Sequence, residues 1–536
     1  MKKSQMKKKW SSVYANAVQL VWVGAVTGVF SGAVVTLFAL LASKGEEFSR
    51  GVYIFVRQNP AFLPLLLLVL ALGAFLIGVA VHISSITRGC GIPHAEGGAR
   101  GLLKFNWWKD AVATFSACLL SIFMGLSIGA EGPSVLIGAC MGDGVASCSY
   151  RNEMIKRYQI TGGACTGLAV AGNTPLTGMI FAFEEAHKRF TPEVFICAFS
   201  SVIFGMLTRT SIYGLLRLEV QSSFHSYILN ELPFSYYGYV VLAGIGCGLL
   251  GTAFYKFAFL MRKLFSKINL KKTKHTYTVR IAIAVFLGGF VSLLATDAMG
   301  GGHLLIEELG TMGGQREPTT SAVLSTGLVF TLVLVLLLKF LITGVNVGSG
   351  LPCGIFVPVL AIGACFGGLL NRLFFAWGMP KEYADLIVMI CISALFATIV
   401  KAPLTAIVMI CELTGNFAPL LPVIIAVSLG YMIGNLFKTD GIYEELLEVY
   451  EHETGIRSRA VKEVYSYTVQ NGAIAQNREV RDVMWPYGAR VTEIKRGEEH
   501  ILPDGATLLR SGDELTIVCY TAEHEKVKDE LKHLLE

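Results

Sequence analysis

Charge is what this chain has least of: only 16% of its 536 residues are Asp, Glu, Lys or Arg, against about 25% in a soluble globular domain. With 53% hydrophobic residues and a mean hydropathy of +0.57, that scarcity excludes an ordinary soluble globule. The sequence also lacks a P-loop, a nucleophile triad and a metal-binding helix, so nothing in it supports an enzyme. It has no Thr-Val-Gly-Tyr-Gly filter, which removes a carbonyl-lined potassium pathway. Its 12 cysteines (Cys90, Cys118, Cys140, Cys148, Cys165 and onward) are scattered, mostly in apolar stretches, and lack metal-ligand spacing. They read as small buried hydrophobes, not as a zinc site or disulfide framework. No metal and no cofactor is expected.

What is present is a succession of apolar blocks long enough for helical spans of about 20 residues. Leu20–Ala42, Ala61–Ile83, Tyr237–Leu260, Ile281–Leu294, Val323–Ile342 and Leu386–Cys411 are examples. The fold class that follows is an all-α polytopic membrane protein up to about residue 440. Several blocks carry internal Gly and Pro, and non-helical backbone at membrane depth survives only where protein or a water-filled cavity satisfies it. The net charge of +6 lies largely in the N-terminal MKKSQMKKK, a basic tail over residues 1–15 that the positive-inside rule places in the cytoplasm. The apolar stretch after it lacks a small-residue cleavage site and reads as a retained first helix.

One stretch, GLSIGAEGPSVLIGACMGDG from Gly125 to Gly144, puts a carboxylate, Glu131, between glycines and beside Pro133. An ionisable group inside a membrane segment is costly and points to function, and the break ahead of the following helix exposes amides that attract anions. The stretch is repeated. With Ile-Gly-Ala-Cys 137–140 superposed on 362–365, Glu131 falls on Phe356 and Pro133 on Pro358. A second pair follows: Pro175-Leu176-Thr177-Gly178 leads to Glu184 and Glu185, and Pro403-Leu404-Thr405-Ala406 leads to Glu412. Two related halves, about 16–230 and 236–443, therefore make up the membrane domain (16–443), and interrupted helices in corresponding positions point to a binding site near the midplane. Inverted repeats would bring helix N-termini to one point from opposite sides. A third break, Arg88-Gly89-Cys90-Gly91-Ile92-Pro93, fits that plan.

These motifs resemble the CLC family of chloride channels and proton-coupled chloride transporters. The family's Gly-Ser-Gly-Ile-Pro, Gly-Arg/Lys-Glu-Gly-Pro and Gly-x-Phe-x-Pro signatures stand here as Gly89–Pro93, Gly129–Pro133 and Gly354–Pro358, in the same order, and the resemblance covers about residues 15–445. It implies two inverted repeats with broken helices, a homodimer with one anion pathway per subunit, and chloride and protons as substrates. It assigns Glu131 as the external gating glutamate and Glu185 as the internal proton-transfer glutamate of the antiporter branch. The anion site it implies comprises Cys90, Gly91, Ile92, Gly132, Ile355, Phe356 and the hydroxyl of Tyr443. Three departures stand out: Cys90 replaces a serine with a weaker donor, Ala130 replaces a basic residue beside the gate, and His94 stands where an acidic residue often follows. His94 is expected to tune the gate's electrostatics and pH dependence. Lys339 and Arg372 read as helix-end anchors that snorkel, and Glu412 as structural.

Beyond Tyr443 the composition changes. Residues 444–462 are charged and read as a helical linker emerging into the cytoplasm; residues 463–536 read as a small cytoplasmic α/β domain. Strands are expected at Val464–Val469, Ala489–Lys495 and Glu514–Tyr520, and a helix at Glu523–Leu535. The runs 488–497, 501–505 and 509–515 resemble the TrkA-C regulatory module of bacterial ion-transport systems. That resemblance implies a prokaryotic origin, hence the bacterial inner (plasma) membrane with both termini cytoplasmic. It also implies dimerisation and a small ligand such as a cyclic dinucleotide, for which Arg490, Lys495 and Arg496 are the candidate residues. No nucleic-acid polymer is expected as a partner. The main functional expectation is an H+/Cl− antiporter. The alternative is a passive voltage- or ligand-gated channel for chloride, fluoride or nitrate on the same scaffold.

Overall fold

The computed structural model describes residues 2–149, 153–218, 224, 227–268, 275–310, 328–454, 461–521 and 524–536. Its membrane part is helical and runs through the same order of elements twice. The first half is α1 (Lys2–Gln58), α2 (Leu63–Ile83), α3 (Gly91–Ala99), α4 (Trp107–Phe123), α5 (Glu131–Ser149), α6 (Glu153–Gly172), α7 (Pro175–Phe181) and α8 (Pro192–Leu215). The second is α9 (Tyr237–Ser266), α10 (Thr276–Leu294), α11 (His303–Gly310), α12 (Leu328–Ser349), α13 (Phe356–Ala376), α14 (Ala384–Val400), α15 (Pro403–Thr414) and α16 (Leu420–Leu436). The short third helices, α3 and α11, each follow a one-turn 3-10 segment and a glycine with positive φ, Gly89 at +70° and Gly302 at +105°. Among the described residues, eight helices are long and apolar enough to cross a membrane.

Sequence pattern explains how these helices are arranged. On α2, Leu66, Leu70 and Ile77 are buried while Leu65, Leu68, Leu72 and Phe75 are exposed, so the helix packs along a stripe and turns its other apolar face outward, as a lipid-facing helix does. α14 is apolar on all sides and its whole span is buried. α5 and α6 pack with Gly138 and Gly163 against each other, so close that a Cβ on either would collide with the other's carbonyl; small residues at such crossings let helices approach.

The two halves are stitched across a pseudo-two-fold axis by reciprocal carboxylates. Glu184 accepts from the Leu404 and Thr405 amides (2.8 and 2.6 Å) and from the Thr405 hydroxyl (2.6 Å), capping the start of α15. Glu412 does the same for Leu176 and Thr177 (2.6 and 2.7 Å) and the Thr177 hydroxyl (2.6 Å) at the start of α7. Each half thus supplies the anionic cap that the other half's helix dipole favours.

The structure departs from the sequence expectations in three places. The block Leu386–Cys411 is two helices, because Lys401 adopts a left-handed conformation (φ +70°) ahead of Pro403, and the residue before a proline resists the α region. The N-terminal tail is helical from Lys2 onward, continuous with α1. The linker begins as helix, as expected: α17 (Ile442–Thr454) carries Tyr443 in its first turn, while residues 455–460 lie outside the described residues, as do residues 323–327 of the block expected at 323–342. Lys339 is fully buried and sits within α12, not at a helix end.

The C-terminal domain is an antiparallel sheet of β1 (Val461–Thr468), β2 (Ala489–Arg496), β3 (Glu499–Ile501) and β4 (Glu514–Thr521), in the order β1-β4-β2-β3, with α18 (His524–Leu535) packed on β1. Val464 pairs with Val518 and Val491 with Ile517, and Val491, Ile494, Leu515, Ile517 and Leu531 form its interior. The three-residue β3 was not foreseen; it closes a hairpin with β2 through Ile494↔Ile501.

Candidate functional site where broken helices meet

α3, α5 and α13 begin at Gly91, Glu131 and Phe356, and each has proline as its third residue: Pro93, Pro133 and Pro358. Proline is tolerated in a first helical turn because its missing N–H would have no intrahelical partner there. The amides ahead of each proline, including those of Gly91, Ile92, Gly132 and Phe356, have no carbonyl one turn back to donate to, and these free donors are what an anion binds.

Backbone contacts hold the three starts together. The Gly129 amide donates to the Gly354 carbonyl (2.8 Å), the Cys353 amide to Gly89 (3.1 Å), and the Gly89 amide to Gly350 (3.1 Å). Cys90 and Cys353 pair as a parallel β-bridge. A Cβ on Gly132 would stand 2.9 Å from the Gly354 Cα and 3.5 Å from the Cys90 sulfur, so glycine is required for this approach. The Cys90 sulfur lies within reach of the Ile92 and Ile355 amides. The predicted anion-site residues from all three motifs are therefore brought to one place.

Tyr443 reaches the same place from α17. Its side chain is 1% exposed, it interacts with Cys90 and with the carboxyls of Glu185, Glu96 and Glu131, and its hydroxyl has no hydrogen-bond partner among the described residues. Glu131 is likewise buried at 2% exposure. One of its carboxyl oxygens, Oε1, is 3.1 Å from Nε2 of His303, and the other has no partner. A buried hydroxyl and a buried carboxyl oxygen left unmatched are costly and mark a place that a further species completes.

Glu185 lies in a one-turn π-helix, Ala182–Ala186, that ends α7. Arg100 donates to the backbone carbonyls of Glu185 and Ala186 (both 2.8 Å) and is 3.4 Å from the carboxylate of Glu96. The Glu96 and Glu185 carboxyls are near enough for their charges to act on each other. Glu96, 1% exposed, was missed in the sequence; its only signal was an acidic residue one turn past Ile92 in a helix that is otherwise small and apolar. His303 was missed too, although Gly300-Gly301-Gly302-His303 is the second half's counterpart of the break at Gly89.

His94 does not contact Glu131. Its Nδ1 is 3.0 Å from the Cys90 carbonyl and its ring meets Tyr450 edge-on at 4.5 Å. It lines a cavity of about 30 Å3 together with Arg88, Cys90, Arg262, Tyr277, Arg280 and Glu453, the last paired with Arg262. The imidazole that touches Glu131 is that of His303.

In the C-terminal domain, Arg496 is already engaged. Its guanidinium grips Asp513 with two bonds (2.7 and 2.8 Å) and donates to the Leu508 carbonyl (2.8 Å). Burial acts against the Asp513 carboxylate, but Arg496 and the Arg510 amide outweigh it and hold its pKa below the ordinary value. Arg496 is thus a structural residue and drops out of the candidate ligand set, whereas Arg490 and Lys495 are exposed.

The profile of the family described as "Voltage gated chloride channel" matches residues 72–435, and that of the TrkA-C domain matches residues 464–532. Among similar proteins is the H(+)/Cl(-) exchange transporter ClcA of Vibrio cholerae, 30% identical over 399 residues, which cover 72% of this chain and 80% of that protein. The protein of the same name from Yersinia pestis is 27% identical over 440 residues, covering 79% of this chain and 86% of that one. Among solved structures, a slow cyanobacterial Cl-/H+ antiporter superposes with a TM-score of 0.69 at 23% identity, over 81% of this chain and 99% of that one. A CLC-type fluoride/proton antiporter superposes with a TM-score of 0.60 at 21% identity, over 78% of this chain and 96% of that one. With three helix starts laced into one site and the profile covering most of the membrane domain, the chain belongs to the voltage-gated chloride channel family.

Proposed function

We propose that the protein is a secondary active antiporter that moves chloride across the membrane in exchange for protons, with Glu131 as gate and proton carrier and Glu185 as the proton-transfer group on the cytoplasmic side. The names of its relatives favour exchange over passive conduction. The observation that carries the site assignment is the pair of unmatched polar atoms, the Tyr443 hydroxyl and Glu131 Oε2, at the convergence of three helix starts. Chloride between those starts takes the Tyr443 proton and the free amides as donors. When chloride leaves, the Glu131 carboxylate competes for the same amides, and without them desolvation favours its protonated form. One group thereby links anion occupancy to a proton.

The test is a flux experiment on the full-length protein in liposomes. A chloride gradient is expected to drive protons uphill. Glu131→Gln should abolish that coupling, and Glu185→Gln should abolish it while leaving chloride movement. Chloride flux with no proton movement in the unsubstituted protein would establish the channel instead. Replacing chloride with fluoride or nitrate in the same vesicles reads what the Cys90 thiol, a weaker donor than a hydroxyl, does to selectivity. The reading extends to a homodimer with one pathway per subunit in a bacterial plasma membrane. The C-terminal domain would lie in the cytoplasm and respond to a small ligand, such as a cyclic dinucleotide, through a surface bearing Arg490 and Lys495.

A further inference from the structure

An exchanger that loads and unloads Glu131 with protons needs a group on the outer side to trade them with, just as Glu185 serves the inner side. One titratable side chain touches Glu131 through a hydrogen bond: His303, whose Nε2 is 3.1 Å from Oε1. The carboxylate is 3% exposed and the imidazole 36%, so the ring stands between the buried gate and the surroundings.

The position of that ring is built, not incidental. His303 opens α11 directly after Gly300 and Gly302, both with positive φ (+62° and +105°). The buried ammonium of Lys339 holds this turn by donating to the carbonyls of Ala298 (3.3 Å), Met299 (3.2 Å) and Gly300 (2.7 Å). The Phe224 ring lies 6.4 Å from the imidazole. The charged groups that face His303 come from every neighbouring helix: Glu131 on α5, Glu46 on α1, Glu307 one turn along α11, and Lys339 on α12 beside Gly302. Cys365 on α13 lies next to Lys339. Burial works against a charged ring, while the hydrogen bond and charge of Glu131, with Glu46 and Glu307, act the other way.

We propose that His303 is the outer proton-exchange partner of Glu131, and that its charged form clamps the carboxylate in place. In the step, Nε2–H of the imidazolium gives its proton to Oε1. The N–H bond breaks, the O–H bond forms, and a neutral imidazole and a carboxylic acid replace the ion pair. With the pair neutral, the clamp is gone and the acid is free to leave its seat. The imidazole then regains a proton from the outer solution, and the reverse sequence delivers one outward. Nothing else is consumed.

This inference rests on the assignment of Glu131 as the proton carrier, and the experiment separates the two. Wild type, Glu131→Gln, His303→Gln and His303→Ala are reconstituted at full length, and chloride and proton fluxes are recorded while the external pH is stepped. His303→Gln, folded by its elution profile and melting curve, is expected to lower coupled turnover about a hundredfold, the modest end of what proton transfer through a positioned group contributes. It should also erase the rise and fall of rate with external pH that an imidazole produces, with the chloride-to-proton ratio unchanged. External imidazole should restore His303→Ala, a rescue that a purely structural role would not show. Wild-type turnover and pH profile in His303→Gln, or a defect in His303→Ala that imidazole does not mend, overturns the proposal. Proton coupling that survives Glu131→Gln overturns the carrier assignment itself, and this inference with it.

Discussion

The Tyr443 hydroxyl illustrates how much a single atom can decide. It is buried, it is a donor, and no described residue accepts from it; in the proposed function, chloride is its acceptor. A hydrogen bond to a charged acceptor is worth about 1.5–3 kcal/mol; taking the lower figure because the free amides remain, Tyr443→Phe should weaken chloride binding roughly tenfold. Calorimetric titration of the purified protein with chloride measures this directly, and an unchanged Kd would remove Tyr443 from the site. Cys90 and Glu131 were legible in the sequence because each sits in a short motif whose glycine and proline spacing has a mechanical meaning, whereas Tyr443 stood out only through the family resemblance. Lys339, Glu96 and His303 were not legible. Each acts on a segment far away in the chain: Lys339 on residues 298–300, Glu96 on Glu185, His303 on Glu131. A lone lysine in an apolar run reads as a snorkelling anchor until the three carbonyls around its ammonium are seen. His94, one residue past a recognised motif, meets the Cys90 carbonyl and the Tyr450 ring, and the imidazole bonded to Glu131 is that of His303.

At the level of helices, the informative feature is that the two halves exchange caps. The in-register pairs Pro175/Pro403 and Glu184/Glu412 were visible as a repeat, but a repeat shows only offsets. It does not show that Glu184 caps α15 and Glu412 caps α7. Each carboxylate takes two amides and a hydroxyl, so Glu184→Gln and Glu412→Gln should each cost about 1.5–3 kcal/mol. The two losses should match in size, because the environments are related by the pseudo-two-fold. Thermal unfolding of the two variants side by side checks the size. Transport checks the division of labour: Glu184→Gln should leave proton coupling intact, whereas its neighbour Glu185→Gln should not. Two variants with grossly unequal stability losses, or a coupling defect in Glu184→Gln, would contradict the structural role given to these caps.

Over the whole molecule, the open question is how a small sheet domain could influence ion exchange some distance away, and the contacts offer a path. Arg157 on α6 pairs with Glu530 on α18 at 3.1 Å, and both are nearly inaccessible. Its Nε donates to the carbonyl of Ala99, the last residue of α3, at 3.2 Å. The next residue, Arg100, holds the backbone at Glu185 and faces Glu96. A second ion pair, Arg478 with Glu193, ties the domain to the start of α8. The C-terminal domain therefore grips α6, whose Arg157 is bonded to the end of α3 one residue before Arg100 and the Glu96 and Glu185 segment it holds. Breaking a buried ion pair by removing one partner leaves an uncompensated charge and costs about 3–5 kcal/mol, so Glu530→Gln should loosen the domain. Amide exchange in α18 and in α6 around Arg157 should speed up, and coupled turnover should change several-fold while the chloride-to-proton ratio holds. The double variant Arg157→Met/Glu530→Met removes both charges. It should recover most of the lost stability but not wild-type turnover, since the Arg157 link to Ala99 goes with it. If Glu530→Gln releases the domain by amide exchange and turnover stays at the wild-type value, the domain is held to the transporter without controlling it.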